Sequence, residues 1–125
     1  MGIDVYLSWD EMSEEEEKAR YTGFSVHSGD VGYLREAYHG EPYATEALFQ
    51  EPWDEQPEDG MVIPNKVLKA RLPMTLEACE RRMRTIYKEE DSEEIERCKK
   101  AYTDFVELHG RMEKAGKHPK VMVSY

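Results

Sequence analysis

The chain is poor in cysteine, in long apolar runs and, over its first half, in positive charge. Each shortage excludes something. Two cysteines, Cys79 and Cys98, among 125 residues are too few for the disulfide framework of a small secreted domain. Both fall at apolar positions of expected helices, where a thiol serves as a small buried hydrophobe; a single bridge between the two helices is the other reading. No stretch reaches the roughly 18 apolar residues of a membrane span. Residues 1–10 show neither the basic region nor the cleavage site of a signal peptide, so the expected location is the cytoplasm. The sequence has no phosphate loop, GxSxG, HExxH or CxxC. The cysteines lie far apart with no histidine nearby, so neither a metal nor a cofactor is expected.

Positive charge is the most unevenly distributed shortage. Residues 1–60 hold 16 Asp and Glu against 3 Lys and Arg, a net −13. Residues 61–125 hold 11 against 14, a net +3, which recovers the −10 of the whole chain. An acidic half of this kind repels nucleic acid and anionic membrane and attracts a basic protein surface. Its plain structural alternative is a solvated surface that keeps the protein dispersed.

What is present is patterned for one domain spanning residues 1–125. In Gly2–Trp9, Ile3, Val5 and Leu7 alternate with Asp4, Tyr6 and Ser8, which predicts a strand. Ser13 followed by Glu16 is a capping-box pair opening a helix to Tyr21, with Gly23 as its stop. Phe24–His27 reads as a second strand, and Asp30 as the cap of a helix over Val31–Tyr38 ending at Gly40. Glu41–Gln50 is ambiguous, and Glu51–Gly60, with Pro52, Pro57 and Gly60, reads as a loop. Pro64 opens a helix that Pro73 is expected to break near Leu72. Leu76, Cys79, Met83 and Ile86 then mark a helix from Thr75 to about Glu89. After the Asp91–Glu94 capping pair, Ile95, Cys98, Tyr102, Phe105, His109 and Met112 form the stripe of a long final helix. Val121, Val123 and Tyr125 alternate in a last strand. The expected fold is therefore α+β: a small sheet containing the N- and C-terminal strands, covered by a helical hairpin.

Three groups of residues are candidates for function. The first is the Gly-, Tyr- and His-rich segment 21–45, in which His27, Asp30, Arg35, Glu36 and His39 would converge on a small ligand, a histidine paired with a carboxylate acting as general base. The structural alternative makes these turn, cap and core residues. The second is the acidic run Glu14, Glu15, Glu16 and Glu17. The third is Glu51, Asp54, Glu55, Glu58 and Asp59 around Trp53, where an exposed tryptophan among carboxylates would anchor a partner; the alternative folds Trp53 onto the core. Carboxylates spaced along a surface also imitate phosphates in a partner's nucleic-acid groove. His109 reads as a core histidine, His118 as a loop residue, and the final stripe as core more than dimer seam, leaving monomer and homodimer both open.

The run Met1-Gly-Ile-Asp-Val-Tyr-Leu with Trp9-Asp10, then Gly23-Phe-Ser-Val-His, then Gly29-Asp-Val-Gly-Tyr-Leu-Arg-Glu-Ala-Tyr-His-Gly with Pro42-Tyr-Ala-Thr, resembles small uncharacterised proteins encoded in bacterial and phage genomes. The similarity covers residues 1–45 and the terminal strand. It implies a bacterial or phage origin only; such an origin favours a small protein that blocks a host machine, such as an inhibitor of the anti-defence type. It brings no catalytic role. The expectation is thus a non-enzymatic, acidic protein-binding module, with a ligand or enzymatic site in segment 21–45 as the alternative.

Overall fold

A computed structural model describes residues 2–22, 26–38 and 40–125, with their side chains except at 21, 22, 26 and 27. The chain order is β1 (Gly2–Ser8), α1 (Glu14–Thr22), a 3-10 helix (Val26–Val31), β2 (Tyr33–Ala37), α2 (Ala44–Leu48), α3 (Gln50–Glu55), α4 (Asn65–Thr85), α5 (Ser92–Lys114) and β3 (Lys120–Ser124). The fold is α+β, as the pattern of alternation and helical stripes predicts.

The sheet is antiparallel, in the order β2-β1-β3. Alternation in β1 sends Ile3, Val5 and Leu7 to one face, where all three are fully buried. Register then sets Leu34 opposite Val5 and Glu36 opposite Ile3 on one side, and Val123 and Val121 opposite Val5 and Leu7 on the other. The helical pair α4/α5 covers this inner face, and Phe105, Tyr102, Val106 and Leu108 of α5 join the sheet residues in one core. On the outer face Tyr33 donates to Asp4 (2.6 Å), Arg35 pairs with Asp4 (3.0 Å) and the Tyr6 and Tyr33 rings lie 5.3 Å apart. Burial, then the hydrogen bond to Asp4, pushes the Tyr33 hydroxyl up to about 12.

Three expected elements come out differently. The helix expected over Val31–Tyr38 is the strand β2. Gly32, at φ +84, turns the chain into it, and its carbonyl accepts from the Leu7 N–H at 2.8 Å. The expected strand Phe24–His27 lies partly outside the described residues, and its last two positions begin the 3-10 helix. Pro73 does not break its helix: α4 runs through it from Asn65 to Thr85. The missing proline N–H leaves only the Lys69 carbonyl unserved, and both residues face solvent, where water replaces the bond.

The caps follow the sequence closely. Ser13 N–H donates to Glu16 Oε1 (2.9 Å) and Glu16 N–H to Ser13 Oγ (3.1 Å). Asp91 accepts from the Glu93 N–H at 2.9 Å and opens α5. The start of α4 is tied to the end of α5: Asn65 N–H donates to Glu113 (2.9 Å), and the Asn65 amide nitrogen donates to the Val106 carbonyl (2.9 Å) beside His109 Nδ1 (3.0 Å). His109 is fully buried, and that burial lowers its pKa, so it serves as a neutral core histidine. No described helix is long and apolar enough to cross a membrane.

Candidate docking surface

The acidic clusters sort into residues committed to structure and residues left to solvent. On α1, Glu16 is engaged in the capping box, whereas Glu14, Glu15 and Glu17 are exposed. Of the stretch Glu51–Gly60 expected as a loop, the end from Gln56 is non-helical and the part to Glu55 belongs to the short helix α3. Its Glu51 is bound in a fork by Arg71 at 2.7 and 2.8 Å, which holds the Glu51 carboxyl below the usual carboxylate range. Trp53 is 7% exposed, so it is no free-standing anchor. Its indole N–H donates to Thr45 Oγ1 at 3.2 Å, which turns the ring inward. Asp54, Glu55, Glu58 and Asp59 stay exposed.

The two halves of the chain treat their carboxylates differently. On α4 and α5, Glu77 pairs with Arg81, Glu80 with Arg84 and Lys99, Glu94 with Arg97, Glu96 with Lys99, and Asp104 with Lys100. In the acidic half, Glu14, Glu15, Glu17, Asp54, Glu55, Glu58 and Asp59 have no ion pair among the described residues. Three acids there do have arginine partners: Asp4, Glu36 and Glu51. Asp10 contacts His118 Nδ1 at 2.7 Å and Glu46 is partly buried, whereas Glu14, Glu15, Glu17, Asp54, Glu55, Glu58 and Asp59 face water.

Among the described residues, the candidates of segment 21–45 do not converge. The His27 side chain and His39 lie outside the described residues. Asp30 is exposed at the 3-10 helix. Arg35 and Glu36 are neighbours on a strand and so point to opposite faces: Arg35 goes outward to Asp4, and Glu36 inward to the core.

Glu36 is the hub of a buried network. Its Oε2 accepts from Ala44 N–H (2.9 Å), and its Oε1 from Thr45 N–H (3.0 Å) and the Thr45 hydroxyl (2.6 Å). Arg82 of α4 sets Nε 2.8 Å from Glu36 Oε2, though that N–H is not directed along the contact, which is therefore electrostatic. The Arg82 guanidinium also donates to the carbonyls of Gly40, Pro42 (3.3 Å) and Ala37 (2.8 Å) and lies 4.6 Å above the Tyr43 ring. One arginine thus fixes the end of β2, the turn after it and the start of α2.

On this base stands an aromatic ladder that spacing along the chain did not reveal. Tyr43 stacks on Trp53 (5.5 Å) and Tyr38 (5.2 Å), and Tyr125 stacks on Trp53 (4.3 Å) and Tyr38 (5.8 Å). The Tyr125 hydroxyl donates to the Trp53 carbonyl at 3.0 Å, and the Tyr43 hydroxyl accepts from the Gly40 N–H at 2.9 Å. The inner rungs Tyr43 and Trp53 are buried, while the outer rungs Tyr38 and Tyr125 are 48% and 42% exposed. A third exposed ring, Tyr87 at 42%, takes the Ala37 N–H on its hydroxyl at 3.2 Å. Glu46 of α2 sits close to Glu41 and Asp54; partial burial, then these two carboxylates and Glu36, raise its pKa.

Other reactive groups are committed to packing. Cys79 and Cys98 are buried and unpaired, and burial pushes their thiols up to about 12 and about 11. Among the described residues no three His, Cys, Asp or Glu side chains are placed to hold a metal ion. Comparison with protein-family models, with curated proteins and with solved structures finds no match to this chain.

Proposed function

We propose that the chain is a non-enzymatic protein-binding module that docks its acidic half on a basic surface of a partner protein. The observation carrying this reading is the contrast between the halves: five of the eight acids of α4 and α5 (Glu77, Glu80, Glu94, Glu96 and Asp104) are paired with neighbouring bases, whereas those of α1 and of the stretch from Asp54 to Asp59 are exposed and in no ion pair among the described residues. Unpaired surface carboxylates repel one another and leave a field that a cationic surface relieves. Spaced carboxylates present to such a surface what a phosphate backbone presents, so the partner is of the kind that binds nucleic acid. Occupying its groove would inhibit it, in keeping with the anti-defence type of inhibitor that a bacterial or phage origin favours.

The test is capture of a stoichiometric partner by the tagged chain from bacterial lysate, washed over a salt series. Capture should weaken as salt shortens the screening length from about 10 Å at 0.1 M to about 3 Å at 1 M. Reversing Asp54, Glu55 and Glu58 to lysine should abolish it while the circular dichroism stays that of the wild type. Glu51 is kept out of this set because its fork with Arg71 is structural. Capture indifferent to both salt and charge reversal refutes the reading.

A further inference from the structure

The acidic surface explains attraction over a distance, but not what the partner inserts on contact. The outer rungs of the ladder address that question. Tyr38 and Tyr125 are about half exposed yet held rigid, because each stacks on a buried ring beneath it. Rigid, half-exposed tyrosines supply contact area at little entropic cost. Three carboxylates are chain neighbours of the buried rungs, Glu46 lying close to the other two: Asp54 follows Trp53, Glu46 follows the Thr45 that holds the indole, and Glu41 lies two residues before Tyr43. None of the three has a cationic partner among the described residues.

The protein already shows which group this combination holds. At Tyr43 a guanidinium lies over the ring and is itself paired with a carboxylate: Arg82 is 4.6 Å above the ring and 2.8 Å from Glu36. The exposed part of the ladder holds the same kinds of group, part-exposed rings at Tyr38 and Tyr125 and the neighbouring carboxylates Glu46, Glu41 and Asp54, but without the cation. A guanidinium is planar, stacks on aromatic faces and forks to a carboxylate; an ammonium does only the last, and as a point charge.

We propose that the Tyr38–Tyr125 patch, with Glu41, Glu46 and Asp54, is the anchor site for an arginine side chain of the partner. This rests on the docking function proposed above and adds a chemical choice to it: arginine over lysine.

The probes are two tetrapeptides of equal charge, tetra-arginine and tetra-lysine, titrated into the intact chain and followed by tryptophan fluorescence. The wild type should bind tetra-arginine more tightly, by about two- to fivefold for each ring engaged. Tyr38→Leu with Tyr125→Leu keeps apolar cover, removes the ring faces and should erase the preference. Tyr38→Phe with Tyr125→Phe keeps the rings and should retain it, which separates stacking from any structural role of the hydroxyls. Equal binding of the two peptides, or a preference that survives the leucine pair, overturns the arginine site and leaves the acidic-surface reading standing. Binding of neither peptide overturns both. Sedimentation showing a dimer that the leucine pair dissolves overturns the inference in favour of a self-association face.

Discussion

Replacing Arg82 with methionine isolates what the buried network contributes. Methionine keeps most of the side chain's apolar length and removes every polar contact. Arg82 and Glu36 are 2% and 5% exposed, so the Glu36 carboxylate would be left in the core with its charge uncompensated. Leaving one partner of a buried pair alone costs about 3–5 kcal/mol. The carbonyls of Ala37, Gly40 and Pro42 would lose a donor as well, which places this change toward the upper end. A domain of this kind has about 5–15 kcal/mol in total, so the loss takes a large share of it. Urea unfolding followed by tryptophan fluorescence should show a midpoint about 2 M lower, for a slope of about 2 kcal/mol/M. Adding Glu36→Gln removes the stranded charge while retaining an acceptor for Ala44 and Thr45. The double variant should therefore be more stable than the sum of the single losses by about 1 kcal/mol or more. An Arg82→Met protein within about 1 kcal/mol of wild type, or strict additivity in the double, would refute the account of this network as one coupled unit.

Further predictions concern packing and pH. Gly29→Ala would place a Cβ 1.7 Å from the Ala101 carbonyl oxygen and 2.6 Å from its carbon, both α5 backbone that no side-chain rotation relieves; thermal unfolding should show severe destabilisation or no folded protein, and a near-wild-type melting temperature would refute this placement of the 3-10 helix. Glu51→Gln should cost about 0.5 kcal/mol at neutral pH, a modest figure because the carboxylate is partly solvated. Because the native Glu51 pKa is lowered, that difference is fully present above its ordinary value of 4.5 and should vanish as pH falls through the native value; a pH series of urea melts on both proteins tests it. Glu46→Gln has the opposite sign. Its native pKa is raised, so the ionised group works against folding at neutral pH, and the variant should melt higher there, the gap closing as acid protonates the wild-type carboxyl. A lower melting temperature for Glu46→Gln at pH 7 would show that the carboxylate is compensated after all.

How far the sequence announced the fold depends on the range of the interaction involved. β1 and α5 were legible because their periods are local and uninterrupted: Ile3, Val5 and Leu7 at every second position, Ile95 to Met112 in steps of three and four. The Ser13–Glu16 and Asp91 caps were legible for the same reason. β2 was misread because Val31, Leu34 and Tyr38 share a helical spacing, while the residue completing the inward face of the strand is Glu36, a charge that alternation assigns to solvent. Only its partner explains it, and Arg82 lies 46 positions away on a helix whose continuity through Pro73 was itself hidden. Trp53 was read with its acidic neighbours, and the contacts that bury it come from Thr45, Tyr43 and Tyr125. The ladder joins positions 38, 43, 53 and 125, and no spacing rule links them.

The strand order β2-β1-β3 also has a consequence for how the chain is made. Of the strands β1, β2 and β3, β1 is synthesised first and lies in the middle of the sheet. One of its edges can pair early, since Tyr6 meets Tyr33, but Asp4 waits for Ser124. Until then a fully apolar face and an open row of backbone donors and acceptors stand exposed on the nascent chain. Long-range pairing of this kind is slow to form and open to misassembly while it waits. The outer rung Tyr125 likewise follows the acidic stretches in the chain, so a chain halted between them carries the acidic charge without the complete proposed site.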